Sequence, residues 1–146
     1  MEKTLVLIKP DAFLGQHTGD ILKIYEENGL RIAAMKVLKM DEHLAALHYE
    51  EHIGRPYYAD LASFMTSGPI VAMVLEGEDA IKRVREINGK TDPNEAAEGT
   101  IRRLFAASKS RNAVHASDSP ASAAREIKNF FSSIEIFDET YDVKNS

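Results

Sequence analysis

The stretch Thr4-Leu5-Val6-Leu7-Ile8 decides how the rest of this sequence can fold. It is rich in apolar and β-branched residues on both of its faces, which is typical of a central strand covered on both sides. A second continuous apolar run, Ile70 to Leu75, has the same character. These two runs predict the middle of a β-sheet.

Helical and strand patterns surround these two runs along the chain. Residues 18–29 and 78–89 have the apolar spacing of amphipathic helices, and both end in Asn-Gly, which is typical of a left-handed helix end. Residues 30–40 alternate enough to predict another strand, and a pair of helical segments precedes Ile70. Residues 120–131 predict the last helix, while residues 90–111 are the longest weakly patterned region.

The order of these elements predicts the fold class. Without the inserted helical pair, the order is β-α-β-β-α-β, with the last strand just before the final helix. This order is typical of the ferredoxin-like arrangement, a four-stranded antiparallel sheet with helices on one face. We therefore predict an α+β fold in which residues 1–146 form one domain. Many functions use this fold, so the fold alone does not identify one.

The composition limits the classes of function. Of the 146 residues, 44% are hydrophobic and 28% are charged, as in ordinary globular proteins. The formal net charge of −5 argues against a dedicated nucleic-acid surface, since such surfaces carry clustered positive charge. The chain has no cysteine, and its N-terminal apolar stretch is too short for a signal or membrane segment. These features predict a cytoplasmic protein that does not insert into membranes.

One histidine lies at a junction between a strand and a helix, in Asn112-Ala113-Val114-His115-Ala116-Ser117-Asp118-Ser119. Ser119 followed by Pro120 predicts a helix start, so His115 falls where a short strand gives way to a turn. Backbone N–H groups and small side chains at such a turn let an anion approach. A neutral imidazole there can act as a nucleophile, although it can also simply end a strand and form local hydrogen bonds.

Several other polar side chains each allow two interpretations. Lys9, at the end of the first strand, either reaches solvent or places a fixed positive charge beside a site. Glu126 shares the apolar stripe of the last helix, so it is either half-exposed or holds the imidazole of His115. Tyr57 and Tyr58 are either packed aromatics or part of a helical lid whose exposed ring stacks on a nucleobase.

Three further histidines, His43, His48 and His52, have a spacing that suggests a metal site. His48 and His52 are four residues apart, as paired ligands on a helix would be. However, no carboxylate–histidine zinc pattern surrounds them, and they are predicted to lie on a polar helix end. We therefore predict that they do not form a metal site.

A series of motifs along residues 3–137 resembles the nucleoside diphosphate kinase family. The histidine segment resembles the family's Asn-x-x-His-(Gly/Ala)-Ser-Asp-Ser signature. The other motifs match in order and spacing. They are Ile-Lys-Pro-Asp at 8–11, His-Tyr at 48–49, Arg-Pro-Tyr-Tyr at 55–58, Met-x-Ser-Gly-Pro at 65–69, Glu-Gly at 76–77, Gly-x-Thr-x-Pro at 89–93 and Gly-Thr-Ile-Arg at 99–102.

The resemblance implies a ping-pong reaction in which a nucleoside triphosphate phosphorylates His115 and a nucleoside diphosphate then takes the phosphoryl group. It implies that Ser117 and Glu126 orient this histidine and that Tyr49 provides a hydroxyl near the transferred phosphate. Tyr57 matches the aromatic residue on which the base stacks, which is usually phenylalanine. The positions that match phosphate and ribose ligands of the family are Lys9, Arg85, Thr91, Arg102 and Asn112.

A metal ion and self-association are also implied by the resemblance. Mg²⁺ would be held mainly by the nucleotide phosphates, with a water-mediated contact to Asp118. Family members assemble as tetramers or hexamers, and this sequence does not distinguish the two. Three departures concern subunit contacts more than chemistry. They are Ala116 for the commoner glycine, Arg103-Leu104 where a small residue and aspartate are usual, and Gly15-Gln16 without a basic residue.

Two other functions deserve comparison with this one. An RNA-recognition-like module has the same topology, but it requires Lys/Arg-Gly-Phe/Tyr aromatics on its strands and a basic face, and neither occurs here. A catalytically silent nucleotide-binding regulatory relative would be indicated by loss of His115, Lys9 or Arg102, and all three are present. The chain also lacks a glycine-rich phosphate loop, so side chains must hold any nucleotide.

Overall fold

In the computed structural model, which describes residues 1–138, four strands form one antiparallel sheet. The strands lie in the order β2-β3-β1-β4 and pair in the register that sets Leu7 opposite Ala72. Their bounds are Glu2–Ile8 for β1, Arg31–Leu38 for β2, Ile70–Gly77 for β3 and Val114–Ala116 for β4. The two apolar runs thus form the middle of the sheet, as predicted.

Seven α-helices and two short 3₁₀ helices connect the strands within residues 1–138. The α-helices are α1 (Pro10–Leu14), α2 (Thr18–Glu27), α3 (Glu42–His48), α4 (Tyr58–Met65), α5 (Ala80–Asn88), α6 (Ile101–Phe105) and α7 (Pro120–Phe130). The 3₁₀ helices are Glu50–His52 and Ser133–Glu135. Over the described part of the chain, no helix has the length and apolar character needed to cross a bilayer.

Helices cover both faces of the sheet. Val6 and Ile8 face a core formed with α2, α5 and α6, whereas Leu5 and Leu7 face a second core formed with α3, α4 and α7. Successive side chains of a strand point to opposite faces, so a strand that is apolar on both faces needs both layers. The predicted ferredoxin-like arrangement is confirmed, since α2 and α5, the two helices of the β-α-β-β-α-β order, lie on one face. The inserted helical pair and α7 form the second layer.

The sequence predicts neither α1 nor α6. Pro10 is in the first turn of α1, where its missing N–H is not needed, so it starts a helix as well as ending β1. The Thr100 side chain accepts a hydrogen bond from the Arg103 N–H and so caps α6, inside the weakly patterned region 90–111. Helices of five residues are too short to establish an apolar period.

Candidate active site

The pairing of β4 with β1 determines where His115 points. His115 lies opposite Leu7, and paired residues of antiparallel strands project their side chains to the same face of the sheet. The imidazole therefore enters the layer formed by α3, α4 and α7. It meets Glu126 of α7 and His48 of α3 there.

A buried carboxylate holds one side of this imidazole. Oε1 of Glu126, a residue only 5% exposed, lies 2.7 Å from Nε2 of His115. The Ser117 hydroxyl donates to the same Oε1 at 3.1 Å, and the Leu5 N–H donates to the Ser117 hydroxyl oxygen at 3.3 Å. Because Nε2–H donates to the carboxylate, Nδ1 keeps the lone pair.

The charge state of His115 suits a nucleophile. Burial lowers its pKa, and the positive charges of Lys9 and Arg102 act in the same direction, against the opposing effect of Glu126. The ring is therefore neutral at pH 7. Neutral imidazole has the free electron pair that nucleophilic attack requires.

His48 packs its ring against His115, with ring centroids 4.7 Å apart and an interplanar angle of 80°. It is 4% exposed, so the prediction that it lies on a polar helix end is wrong. The C-terminal end of α3 is covered by α7, where Phe130 also contacts the His48 ring. Burial lowers the pKa of His48 to about 2, which keeps this ring neutral.

The geometry gives little support to a metal site formed by the histidines of this region. In residues 1–138, a group of possible ligands is formed by His48, His115 and Glu126, with ligand atoms within 4.8 Å of one another, and it includes neither His43 nor His52. In a tetrahedral zinc site with bonds of about 2.0–2.2 Å, the ligand atoms lie about 3.3–3.6 Å from one another. The close pair in the group, His115 and Glu126, is at hydrogen-bond distance.

Lys9 is held in a fixed position by the segment that precedes β4. Its ammonium group donates to Oδ1 of Asn112 at 2.8 Å, and its backbone N–H donates to the carbonyl of Ala113 at 2.8 Å. Burial and the nearby Arg102 guanidinium lower the pKa of Lys9 to about 8. The side chain is therefore still mostly protonated at pH 7, but it loses its charge in a range that is accessible to experiment.

A tight turn at Ala113 brings Asn112 to Lys9. Ala113 has a φ of +73°, and the Val114 N–H donates to the Asn112 carbonyl at 2.9 Å, which closes a γ-turn. The Asp11 carboxylate accepts from the Ala113 N–H at 3.0 Å. Such backbone strain costs about 1–3 kcal/mol and concentrates at functional sites. Nothing in the sequence indicates this turn, because alanine rarely adopts positive φ.

Two arginines are braced by backbone carbonyls around the same strand. Arg102 donates from Nη1 to the Gly89 carbonyl at 2.8 Å and from Nη2 to the Val114 carbonyl at 2.8 Å. Arg85 donates from Nη1 to the Ala116 carbonyl at 3.3 Å. Guanidinium groups held in this way can present their remaining N–H donors to phosphate oxygens as a fork.

Gly89 allows the close packing under Arg102, and its replacement is our first prediction. Gly89 has a φ of +84°, and a Cβ added there would lie 2.6 Å from Oγ1 of Thr100. We expect Gly89→Ala to lower the free energy of unfolding by about 2–4 kcal/mol, because positive φ and overpacking act together. Denaturant titration measures the change.

Gly99 provides the matched control for this prediction. Its φ is +85°, but no atom lies within 4 Å of an added Cβ. Gly99→Ala should therefore cost only about 1 kcal/mol, the backbone contribution alone. Equal losses in the two variants would show that the contact with Thr100 is unimportant.

Two adjoining cavities form one cleft beside His115. The smaller, of about 180 Å³, contains the His115 ring, and the larger has a volume of about 960 Å³. The predicted site residues that line the smaller cavity are Tyr49, Arg85, Thr91, Arg102, His115, Asp118 and Glu126. Of these, the larger cavity shares Arg85, Thr91, Arg102 and Asp118. The combined cleft is of the size that small-molecule ligands occupy.

The other predicted site residues do not line these two cavities. Lys9, Asn112 and Ser117 are buried. Ser117 donates to the cleft-lining Glu126, the Asn112 carbonyl accepts from the cleft-lining Arg102, and Lys9 donates to Asn112. Tyr57 is half-exposed, just before α4, and it reaches the cleft through the His52 ring. The sequence predicts these residues as candidates for the site, but it does not predict which of them line the cleft.

Asp118 is the predicted residue that could contact a metal ion. It is exposed and lines both cavities. A hydrogen bond from the Ser122 side chain and the nearby Arg85 lower its pKa, so the carboxylate is ionised at pH 7. An ionised, exposed carboxylate on this cleft fits Mg²⁺, which retains several waters and relies on substrate phosphates.

Comparison with known proteins identifies the family. A family model described as nucleoside diphosphate kinase matches residues 2–136. The chain belongs to the nucleoside diphosphate kinase family. A nucleoside diphosphate kinase from Nitratiruptor sp. is 53% identical over 136 residues, which cover 93% of this chain and 99% of that relative. One from Ignicoccus hospitalis is 49% identical, with 100% and 99% of the two chains covered.

A solved nucleoside diphosphate kinase has the same fold. The structure of a halophilic enzyme of this family from Halobacterium salinarum, in complex with CDP, matches with a TM-score of 0.92 and 40% sequence identity. The match covers 99% of this chain and 96% of that chain. This likeness extends over the whole sheet and both helical layers described above.

Arg125 is a neighbour of the site that sequence reasoning misses in this family member. It lies 3.9 Å from Oε2 of Glu126, and 3.7 Å and 3.9 Å from the carboxylates of Glu50 and Glu51. It therefore links α7 to the 3₁₀ segment after α3. The sequence indicates a role for Arg125 only through its position next to Glu126.

Proposed function

We propose that this protein is a nucleoside diphosphate kinase that transfers the γ-phosphoryl group of ATP to a nucleoside diphosphate through a phosphohistidine at His115. Family membership supports the reaction class. The observation that carries the proposal is the 2.7 Å contact between His115 Nε2 and the buried Glu126 carboxylate, which leaves Nδ1 free. Arg85 and Arg102 line the cleft in front of it.

Each half-reaction exchanges one bond at phosphorus. In the first, the Nδ1 lone pair of His115 attacks the γ-phosphorus as the bond to the β,γ-bridging oxygen breaks, and ADP leaves with that electron pair. In the second, a terminal β-phosphate oxygen of the acceptor attacks the phosphorus and the N–P bond breaks, returning the pair to Nδ1. Alignment and positive charge supply most of the catalysis that such a transfer needs.

Three side chains act on the histidine or on the transferred group in this proposal. Glu126 fixes the ring and stabilises the positive charge that the imidazole acquires as the N–P bond forms. Ser117 holds Glu126 through the 3.1 Å hydrogen bond. Burial raises the pKa of Tyr49, so its hydroxyl stays protonated. Tyr49 lines the smaller cavity, and its buried hydroxyl has no hydrogen-bond partner within residues 1–138, so it can donate to the phosphoryl group.

The remaining predicted residues bind the nucleotide. Lys9, Arg85 and Arg102 neutralise the phosphates, while Thr91 and Asn112 hold phosphate and ribose oxygens. The base stacks on the Tyr57 ring, whose half-exposed position leaves it available. Stacking without hydrogen bonds to the base edge tolerates any nucleobase.

Mg²⁺ is part of the same proposal. Asp118 would hold it through water, with the nucleotide phosphates as the main ligands. When bound, the ion supplies further neutralisation of phosphate charge. The ionised state of Asp118 and its place at both cavities support this role.

Glu126→Gln tests the orienting carboxylate. We expect kcat to fall by about 10²-fold with little change in KM, because the amide keeps the shape but loses the charge that stabilises the imidazolium. Steady-state kinetics measure both parameters. Glu42→Gln, an exposed acid at the start of α3, is the control. A kcat within twofold of the wild-type value in Glu126→Gln would contradict the role.

Initial-rate kinetics with ATP and several nucleoside diphosphates test the proposed function. We expect transfer to GDP, CDP, UDP and dTDP, with parallel double-reciprocal lines that indicate a ping-pong reaction. Nucleotide binding without transfer would instead favour the catalytically silent regulatory relative. The RNA-recognition alternative loses support, because helices cover both faces of the sheet within residues 1–138.

Self-association and location complete the proposal. We propose a homo-oligomer, either tetramer or hexamer, and a cytoplasmic location where nucleoside triphosphates are available. The edge strand β2 supports an assembly, since it presents Met35 and Val37 at 48% and 60% exposure. Exposed apolar edge strands are surfaces for pairing with another chain.

A further inference from the structure

A row of aromatic rings leads from Tyr57 to the nucleophilic histidine. The Tyr57 ring contacts His52 at 5.6 Å between centroids, and His52 contacts Tyr49 at 6.1 Å. Tyr49 contacts His48 at 4.5 Å, and His48 contacts His115 at 4.7 Å. His52 is the member of this row for which neither the family motifs nor the reaction gives a role.

His52 makes a specific polar contact with Tyr57. The Tyr57 hydroxyl lies 2.5 Å from Nδ1 of His52, and the two rings are inclined by 60°. In a neutral imidazole with its proton on Nε2, Nδ1 accepts from the phenol. His52 itself ends the 3₁₀ helix Glu50–His52 and lines the cavity that contains His115. The phenol ring is thus tied to the cavity wall although half of it is exposed.

This hydrogen bond has two consequences for a stacked base. An exposed ring that is already held loses less conformational freedom when a ligand packs on it, so binding is tighter. The hydroxyl is also occupied by His52, so it does not read the edge of the base. Both effects require the hydroxyl group of Tyr57. Phenylalanine, which is usual at this position in the family, has no hydroxyl group.

We propose that His52 is a positioning residue for the nucleobase: it holds the Tyr57 ring in its stacking orientation and thereby raises the affinity for nucleoside di- and triphosphates of any base. This inference rests on the proposed function, because it assigns the stacking surface to Tyr57. It concerns binding, and the transfer step itself does not involve His52.

The test is a double-mutant cycle read by calorimetric titration with ADP. We expect His52→Ala and Tyr57→Phe each to weaken ADP binding by about threefold to tenfold, the range of one hydrogen bond. The double variant should bind no more weakly than the weaker single variant, because both changes remove the same contact. His52→Gln, which keeps an acceptor, should recover part of the affinity.

A ligand without a base separates positioning from general damage to the cleft. Inorganic triphosphate has no ring to stack, so its affinity should be equal in wild type and His52→Ala. His43→Ala, an exposed histidine of α3, should match the wild type with both ligands. In kinetics, the loss in His52→Ala should appear in KM rather than kcat.

Three results would overturn the inference: unchanged ADP affinity in His52→Ala, additive losses in the double variant, or an equal loss for inorganic triphosphate. Failure of the proposed function is recognised separately, by the absence of phosphoryl transfer in the wild type. Calorimetry measures binding without turnover, so it tests the role of His52 whether or not the wild type transfers phosphate. A wild type that transfers phosphate with no effect of His52→Ala would keep the function and reject the role of His52.

Discussion

His115→Ala should abolish phosphoryl transfer, with a loss of roughly 10⁴-fold or more, because a side chain that forms the covalent intermediate cannot be replaced by a neighbour. His48 contacts the His115 ring. Within residues 1–138, however, the ring that hydrogen-bonds to Glu126 is that of His115 and not that of His48. The phosphoenzyme should disappear together with turnover. Coupled assay of ATP consumption with GDP as acceptor measures the loss.

Binding and folding should survive the same change. In the proposed function the nucleotide is held by Lys9, Arg102 and their neighbours, so ADP affinity should stay within about threefold of the wild-type value. His43→Ala is the matched control, since His43 is exposed on α3 and lines neither cavity. Turnover retained in His115→Ala without an added nucleophile such as imidazole would contradict the mechanism.

Lys9→Ala should lower kcat by about 10²–10³-fold, the usual effect of removing one fixed charge from a preorganised site. Lys9 is only 8% exposed, and its ammonium is fixed by the 2.8 Å hydrogen bond to Asn112, so it needs little rearrangement when charge develops. Steady-state kinetics measure the loss. Lys23→Ala is the control, because Lys23 is exposed on α2, pairs with Glu27 at 3.8 Å and lines neither cavity. A loss of less than threefold in Lys9→Ala would remove Lys9 from the catalytic group.

The lowered pKa of Lys9 adds a pH signature to this prediction. With a pKa of about 8, the ammonium is charged below pH 8 and loses its charge as the pH rises through that value. In the wild type, kcat/KM should therefore decline above about pH 8, because this ratio reports on the free enzyme. Lys9→Arg should remove the decline, since guanidinium stays protonated. An unchanged profile in Lys9→Arg would assign the titration to another group.

The central strands could be predicted because their residues are apolar on both faces of the sheet. Leu5 and Leu7 alternate with Val6 and Ile8, and all four are buried. The same observation implies a helical layer on each face, and the structure has α2 and α5 on one face and α3, α4 and α7 on the other. The short helices and the turn at Ala113 could not be predicted, because they depend on tertiary contacts such as the hydrogen bond from Ala113 to Asp11.

The sequence suggests candidate site residues one by one, but it does not predict how they are arranged. Glu126 is detectable as a carboxylate in an apolar stripe, and the structure places it against His115. Lys9 and Asn112 are 103 positions apart, and only the pairing of β1 with β4 brings them together. The burial of His48 has no local signal at all, since it results from the packing of α7 over the end of α3.

The phosphohistidine mechanism is tested most directly by incubation of the wild-type protein with γ-labelled ATP and Mg²⁺ in the absence of an acceptor. We expect a label that is lost in acid, retained in alkali and mapped to His115. Addition of unlabelled GDP should move the label quantitatively to GTP. A folded protein that takes up no label, or one that carries an acid-stable label on another residue, would contradict the phosphohistidine mechanism.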